Sequence, residues 1–296
     1  MTADRITRIL CDPLNVRIYT AVTRAVSTGL ARIHRASPAV ALALSRMASA
    51  TALLGAALKP DSDQTVSMKI SGSGPVRELH VQADARGNLR GYAGDPSADC
   101  DISRGRMNIG ELIGAGFLTV IRDLGLKEPY TSVQPLVRGE IAYDVAYYLT
   151  VSEQVPSALI LGTAQETDGT FSASGGILIQ GLPGTSPETL EKIEANIAGM
   201  KAPLGERLKG GEDIVSATAQ LVDGAALEIL GSTPLALACR CSREMLAQVI
   251  RGISPDDIGS MLEKDHGIEL TCTFCTTRYR FEEREIRALF AGRLNA

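Results

Sequence analysis

Ile268-Glu269-Leu270-Thr271-Cys272-Thr273-Phe274-Cys275, followed by Thr276-Thr277-Arg278-Tyr279-Arg280-Phe281, places a Cys-x-x-Cys turn between two short strand-like runs. Strands meeting at such a turn make a zinc-knuckle arrangement. Upstream stands a second close pair, Cys239-Arg240-Cys241, with thirty residues between the pairs. Each pair offers two sulfurs to one side of a metal, and the chain between them folds back only once. That pattern suits a single tetrahedral Zn²⁺ held by Cys239, Cys241, Cys272 and Cys275 as thiolates. Four buried cysteines acting as small hydrophobes, or two ordinary disulfides, are the alternative readings. The grouping of four of the six cysteines within the last sixty residues favours the metal.

Four thiolates leave no open coordination position for a catalytic water, so the site is expected to be structural. The one-residue gap in Cys239-Arg240-Cys241 points further. It keeps two sulfurs adjacent once the metal leaves, and metal-bound thiolates are the oxidisable form of cysteine. A redox switch that releases zinc and forms disulfides is the expectation.

With Cys-x-Cys, about thirty residues and Cys-x-x-Cys, the chain resembles the thirty-three-kilodalton heat-shock protein family, the bacterial redox-regulated holdase chaperones. Further stretches carry the resemblance: Ser37-Pro38 opening a long helix, Leu53-Leu54-Gly55 ahead of Leu58-Lys59, and Gly72-Ser73-Gly74-Pro75. Arg90-Gly91-Tyr92, Ser152-Glu153-Gln154 and the run Gly175 to Gly184 continue it, so it spans nearly the whole chain. The resemblance implies an ATP-independent chaperone for unfolded or partly folded client proteins, silent when reduced and zinc-bound. Oxidation would activate it by zinc release and partial unfolding, with disulfides Cys239–Cys241 and Cys272–Cys275. Near neighbours meeting first on metal loss suggests the same pairing, and a homodimer is expected in the oxidised state. Cys11 and Cys100 take no role from the family.

A chain of 296 residues can bury a sizeable core and is expected to form two domains with a connecting segment. Its net charge of −4 does not suit a protein that coats nucleic acid or anionic membrane. The start, Met1-Thr2-Ala3-Asp4-Arg5, shows no apolar signal region, and free cysteines fit a reducing cytoplasm. Ala39 to Leu58 is apolar enough to suggest a membrane span. Arg46 at its middle and its alanine content instead predict a buried core helix, capped by Ser37 with Pro38 in the first turn.

Strands are expected at Arg5–Leu10, Val16–Val22, Phe117–Arg122, Val133–Val137 and Ala173–Ile179, with hairpin-forming runs around Val66–Ile70 and Leu79–Ala83. Helices are expected at Val26–Ile33 and Glu140–Ser152. Helices alternating with hairpins predict an α+β core domain, residues 1–182, with a largely antiparallel sheet. From 183 to 233, Pro183-Gly184, Gly205, Gly210 and Gly211 punctuate short amphipathic helices. Such helices are marginal alone, so this segment reads as a metastable helical linker packed on its neighbours. Residues 234–296 form the zinc module. Its expected buried positions are Met245, Leu246, Val249 and Ile250, then Ile258, Met261 and Leu262, then Ile286, Leu289 and Phe290. At about sixty residues its core is small, and the metal should carry much of its folding free energy.

A zinc-ribbon nucleic-acid-binding or regulatory protein is the competing function. From Cys239 onward, nine Arg or Lys face nine Asp or Glu, which disfavours phosphate tracking, although Arg278, Arg280, Arg284 and Arg287 could form a local patch. An enzyme is not expected. The sequence has no P-loop and no His-Glu-x-x-His; His34, His80 and His266 are scattered, with His34 expected near a helix end and His266 a weak reserve ligand.

Overall fold

The computed structural model describes residues 3–103 and 106–290, in two compact units, Met1–Ala238 and Cys239–Ala296. The first opens with strands β1 (Arg5–Cys11) and β2 (Val16–Val22), then helices α1 (Arg24–His34) and α2 (Pro38–Gly55). Strands β3 (Thr65–Gly72), β4 (Glu78–Asp84) and β5 (Asn88–Ala93) follow. A short ladder of β6 (Ile102–Ser103) with β7 (Arg106–Met107) leads to α3 (Ile109–Ile113), β8 (Gly116–Asp123), β9 (Tyr130–Pro135) and α4 (Ile141–Val151). Then come β10 (Ser157–Gln165), β11 (Phe171–Gly181) and helices α5 (Pro187–Ala198), α6 (Leu204–Lys209) and α7 (Ile214–Leu221). The unit ends with β12 (Glu228–Pro234) and β13 (Ala236–Leu237).

Two sheets organise these strands, in the orders β10-β11-β2-β1-β12 and β13-β5-β4-β3-β8-β9. Every pairing is antiparallel except β13 with β5. The fold is therefore α+β with largely antiparallel sheets.

α2 runs between the sheets. Ser37 Oγ accepts from the Val40 amide at 3.2 Å, and Pro38 spends no amide in the first turn. Only Pro38, Leu42 and Arg46 of the helix escape full burial, so its membrane-like composition serves a protein interior. Arg46 reaches out to Glu140 at 2.7 Å. Ser45 and Ser49 join Thr23, Ser27 and Ser174 in a buried hydroxyl cluster, with contacts of 2.7–3.4 Å. Mutual hydrogen bonds remove the cost of burying those groups.

The first sheet is apolar on both faces. Tyr19, Ala21 and Leu178 face α2, while Val16, Ile18, Ile177 and Ile179 face a second cluster with Ile193 of α5, Leu204 of α6, and Ile214 and Leu221 of α7. Strand alternation sends neighbouring residues to opposite faces, and the 183–233 segment supplies the cover for the outer one. That segment is not all helix, because β12 pairs with β1 from Arg5↔Pro234 to Leu10↔Glu228. The residue pattern also raised no expectation of β10, which pairs with β11 along its whole length. The strand expected at Val133–Val137 lies instead at Tyr130–Pro135. The Val137 amide turns away from the ladder and donates to Asp144 Oδ1 at 2.7 Å, beginning the approach to α4.

The second unit holds α8 (Arg243–Arg251), α9 (Pro255–Asp265), the hairpin β14 (Gly267–Thr271) with β15 (Arg278–Glu282), and α10 (Glu283–Leu289). Ile250, Ile258, Leu262, Ile268, Phe281, Ile286 and Phe290 form its core. Three residues expected inside are exposed: Met245 at 40%, Val249 at 55% and Met261 at 39%. That core takes Leu246, Ala247 and Ile250 from α8 and Ile258 and Leu262 from α9, and Met245, Val249 and Met261 fall outside it.

Candidate metal centre

Cys239 and Cys241 lie just ahead of α8, whose start is fixed by Ser242 Oγ accepting from the Met245 amide at 3.2 Å. Cys272 and Cys275 occupy the hairpin turn. There the Cys272 amide donates to the Thr277 carbonyl at 2.9 Å and the Thr276 amide to the Cys272 carbonyl at 2.8 Å. Thr276 closes the turn at φ 57°, a left-handed conformation that is strained for a β-branched residue.

Folding brings all four sulfurs within 4.8 Å of one another. Cys239 Sγ is 3.7 Å from Cys272 Sγ, and Cys241 Sγ is 3.4 Å from Cys275 Sγ. A tetrahedron with metal–sulfur bonds of about 2.3 Å has sulfur–sulfur edges of about 3.8 Å. The cluster is thus of the size that a four-thiolate metal requires. Cys272 is buried and the other three are half-buried.

Polar groups converge on the sulfurs. Tyr279 Oη lies 3.3 Å from Cys241 Sγ and Thr277 Oγ1 lies 3.2 Å from Cys275 Sγ. The backbone amides of Cys275 and Phe274 point at Cys272. Burial pushes the Cys241 thiol up to about 12, and the adjoining thiols add to the rise against the Tyr279 hydroxyl. Burial opposes ionisation of Cys275 too. The side chain and amide of Thr277, with the Cys241 and Cys272 thiols, outweigh it and hold Cys275 down to about 7. Donation to Cys241 is the main reason the Tyr279 phenol rises to about 12. Within this crowded group Cys275 ionises readily while Cys241 and Cys272 resist, the electrostatic setting in which a bound cation relieves the repulsion among thiolates.

Arg243 ties the first cysteine arm to the hairpin. Its Nη2 donates to the Arg280 carbonyl at 2.8 Å and to Glu285 at 2.8 and 2.9 Å, and its guanidinium sits 4.4 Å from the Phe281 ring centroid. Neither Arg243 nor Tyr279 was singled out from sequence. Alternation along β15 carries the missed signal, since Tyr279 shares the inward face with Phe281, opposite Leu270 and Ile268.

The other candidates lie apart from the cluster. His266 caps the end of α9, with Nδ1 4.0 Å from Glu283. His34 Nε2 meets the Gly91 carbonyl at 2.8 Å and His80 Nε2 meets Ser67 Oγ at 2.6 Å, both in the first unit. Cys11 and Cys100 belong to that unit as well.

The family model described as Hsp33 protein matches residues 4–282, and the chain belongs to that family. Among its relatives, the 33 kDa chaperonin of Citrifermentans bemidjiense is 38% identical over 289 residues, covering 97% of each chain. That of Staphylococcus carnosus is 34% identical over 292 residues, covering 98% of each. The crystal structure of the 33 kDa chaperonin (heat shock protein 33 homolog) from Thermotoga maritima superposes with a TM-score of 0.90. It is 28% identical, with full coverage of both chains.

Proposed function

We propose that this protein is a redox-regulated, ATP-independent holdase whose switch is one Zn²⁺ bound by Cys239, Cys241, Cys272 and Cys275. The observation that carries the reading is the convergence of four sulfurs within 4.8 Å, in a chain of the Hsp33 family. Bound zinc would hold the two cysteine arms together. Its binding to modules of this size is worth about 10–16 kcal/mol, which is folding free energy. The small apolar core among the module's described residues cannot replace that contribution.

Oxidation to Cys239–Cys241 and Cys272–Cys275 closes two very small loops, neither of which joins one arm to the other. The module then loses its main clamp and unfolds. The short helices α5–α7 are the next to leave, since only docking holds them. Their departure frees Val16, Ile18, Ile177 and Ile179 for unfolded clients, and pairing of such surfaces favours a dimer. Phosphate tracking is disfavoured by pairing of the exposed arginines: Arg278 lies 3.7 Å from Glu269, Arg280 2.9 Å from Glu282 and Arg287 2.7 Å from Glu283. The protein is expected to act in a reducing cytoplasm, without nucleic acid or membrane as partner.

Metal content and free-thiol count, measured before and after peroxide alongside suppression of client aggregation, test the reading. One zinc and six thiols in an inactive reduced protein, then no zinc and two thiols in an active oxidised one, are expected. An active protein with its zinc and all thiols intact would refute it.

A further inference from the structure

The corner between α6 and α7 forms a cleft of about 360 Å³ against β2 and β11, within the size range of small-molecule sites. Its walls are apolar: Val22 from β2, Leu208 from α6 and Ile214 from α7, all in or against the second core cluster. The chain turns this corner through Gly211 at φ 90°, a conformation that suits glycine. The carboxylates beside the cleft are already engaged. Glu212 gives both oxygens to Arg207 at 2.6 and 2.7 Å. Asp213 divides its oxygens between Arg5 at 3.1 Å and the Val215 amide at 2.9 Å. Lys209 is held by Glu166 at 2.9 Å. Arg24, half-buried at the start of α1, differs. Among the described residues, no carboxylate stands within ion-pair reach of it. Asp4 feels its charge but spends Oδ2 on the Val26 amide at 2.8 Å. The Arg24 guanidinium, beside three apolar side chains, is complementary to an acid head carried on an apolar tail.

We infer that this cleft binds a small amphiphilic carboxylate, its head on Arg24 and its chain against Val22, Leu208 and Ile214. A guanidinium takes a carboxylate through two parallel hydrogen bonds, and seating the chain removes apolar surface from water. One wall belongs to β2 and β11 and the other to α6 and α7, so the cleft exists only while those helices are docked. A ligand that needs the docked arrangement stabilises it by mass action. At about ten times its dissociation constant, undocking becomes about tenfold rarer. The ligand thereby restrains the release of α6 and α7. Binding stands independent of the holdase reading, and its consequence for chaperone activity rests on that reading.

Octanoate is the probe, added to the reduced full-length protein and followed by amide chemical shifts. Saturable shifts should fall on residues 22–24, 172–174 and 208–214. Octanol, which lacks the charge, and acetate, which lacks the chain, should each bind at least about tenfold more weakly. Arg24→Gln should weaken octanoate by a similar factor, and Arg24→Lys should regain part of the loss. With octanoate at about ten times its dissociation constant, amide exchange in α6 and α7 should slow about tenfold in wild type and not in Arg24→Gln. Wild-type affinity in Arg24→Gln, acetate binding as tightly as octanoate, or shifts that never saturate would overturn the site. Saturable binding without slower exchange would overturn the restraint. Octanoate that slows exchange in α6 and α7, yet leaves activation by peroxide at its ordinary rate, would contradict the link between docking and inhibition and leave the site standing.

Discussion

Gly162 of β10 and Gly205 of α6 meet backbone to backbone. A Cβ on Gly162 would fall 2.6 Å from the Gly205 amide nitrogen and 2.7 Å from Leu204 Cβ, and one on Gly205 would collide with the Thr163 carbonyl. No side chain fits between helix and strand there. The contact seats α6 directly on β10, and it depends on two absent methyl groups.

Gly205→Ala should therefore lift α6 from β10. Overpacking of this kind costs about 1–3 kcal/mol, and here the cost falls on the docking of a short helix. The reduced, zinc-bound variant should suppress client aggregation without oxidant, as followed by light scattering, and proteolysis should cut earliest near 199–212. A variant as silent as wild type when reduced would separate α6 docking from inhibition.

Serine in place of any one of Cys239, Cys241, Cys272 or Cys275 should weaken zinc retention at least tenfold in chelator competition, since a hydroxyl is a poor substitute for a thiolate. Cys11→Ser and Cys100→Ser should retain zinc like wild type. Equal loss from the Cys100 variant would contradict the ligand assignment.

Thr276 bears a β-branched side chain at φ 57° in the knuckle. Thr276→Gly should relieve that strain and stabilise the module by about 1 kcal/mol, less the entropy that glycine adds to the unfolded chain. Slower zinc loss at elevated temperature is the readout, and faster loss would mean that the threonine contributes contacts outweighing its strain.

His80 is driven below its ordinary value of 6.5, first by burial and then by Lys69 and Arg90, with Glu78 opposing. Its neutral ring meets Ser67 Oγ at 2.6 Å. A depressed folded value means that the unfolded chain binds more protons as pH falls below 6.5. The first unit should thus lose stability from about pH 6.5 downward, through the folded value, and keep it above. In His80→Gln this part of the pH dependence of the melting temperature should vanish. An unchanged pH profile would assign the loss to another group.

Legibility in the sequence followed the range of the forces involved. The cysteine spacing, the Ser37–Pro38 cap and the alternation of Val16–Val22 are local patterns, and each has its counterpart in the structure. β12 was hidden because Ile229 and Leu230 are exposed at 59% each, so it lacks the half-buried alternation that marks a strand. Only its pairing with β1, more than two hundred residues away, makes it one. Met245 and Val249 erred the other way: helical spacing placed them on an apolar stripe, but a module with one hairpin has too little surface to cover them. Tyr279 was legible as a strand residue but not as a donor, because its partner Cys241 is distant in sequence.

Hydrogen exchange on the reduced and the peroxide-oxidised protein tests the central claim most directly. The oxidised, active form should lose protection in α5–α7 and throughout the module from Cys239 onward, while β1–β5 and β11 exchange as slowly as before. An oxidised form that prevents client aggregation while its C-terminal module stays fully protected would contradict activation by unfolding.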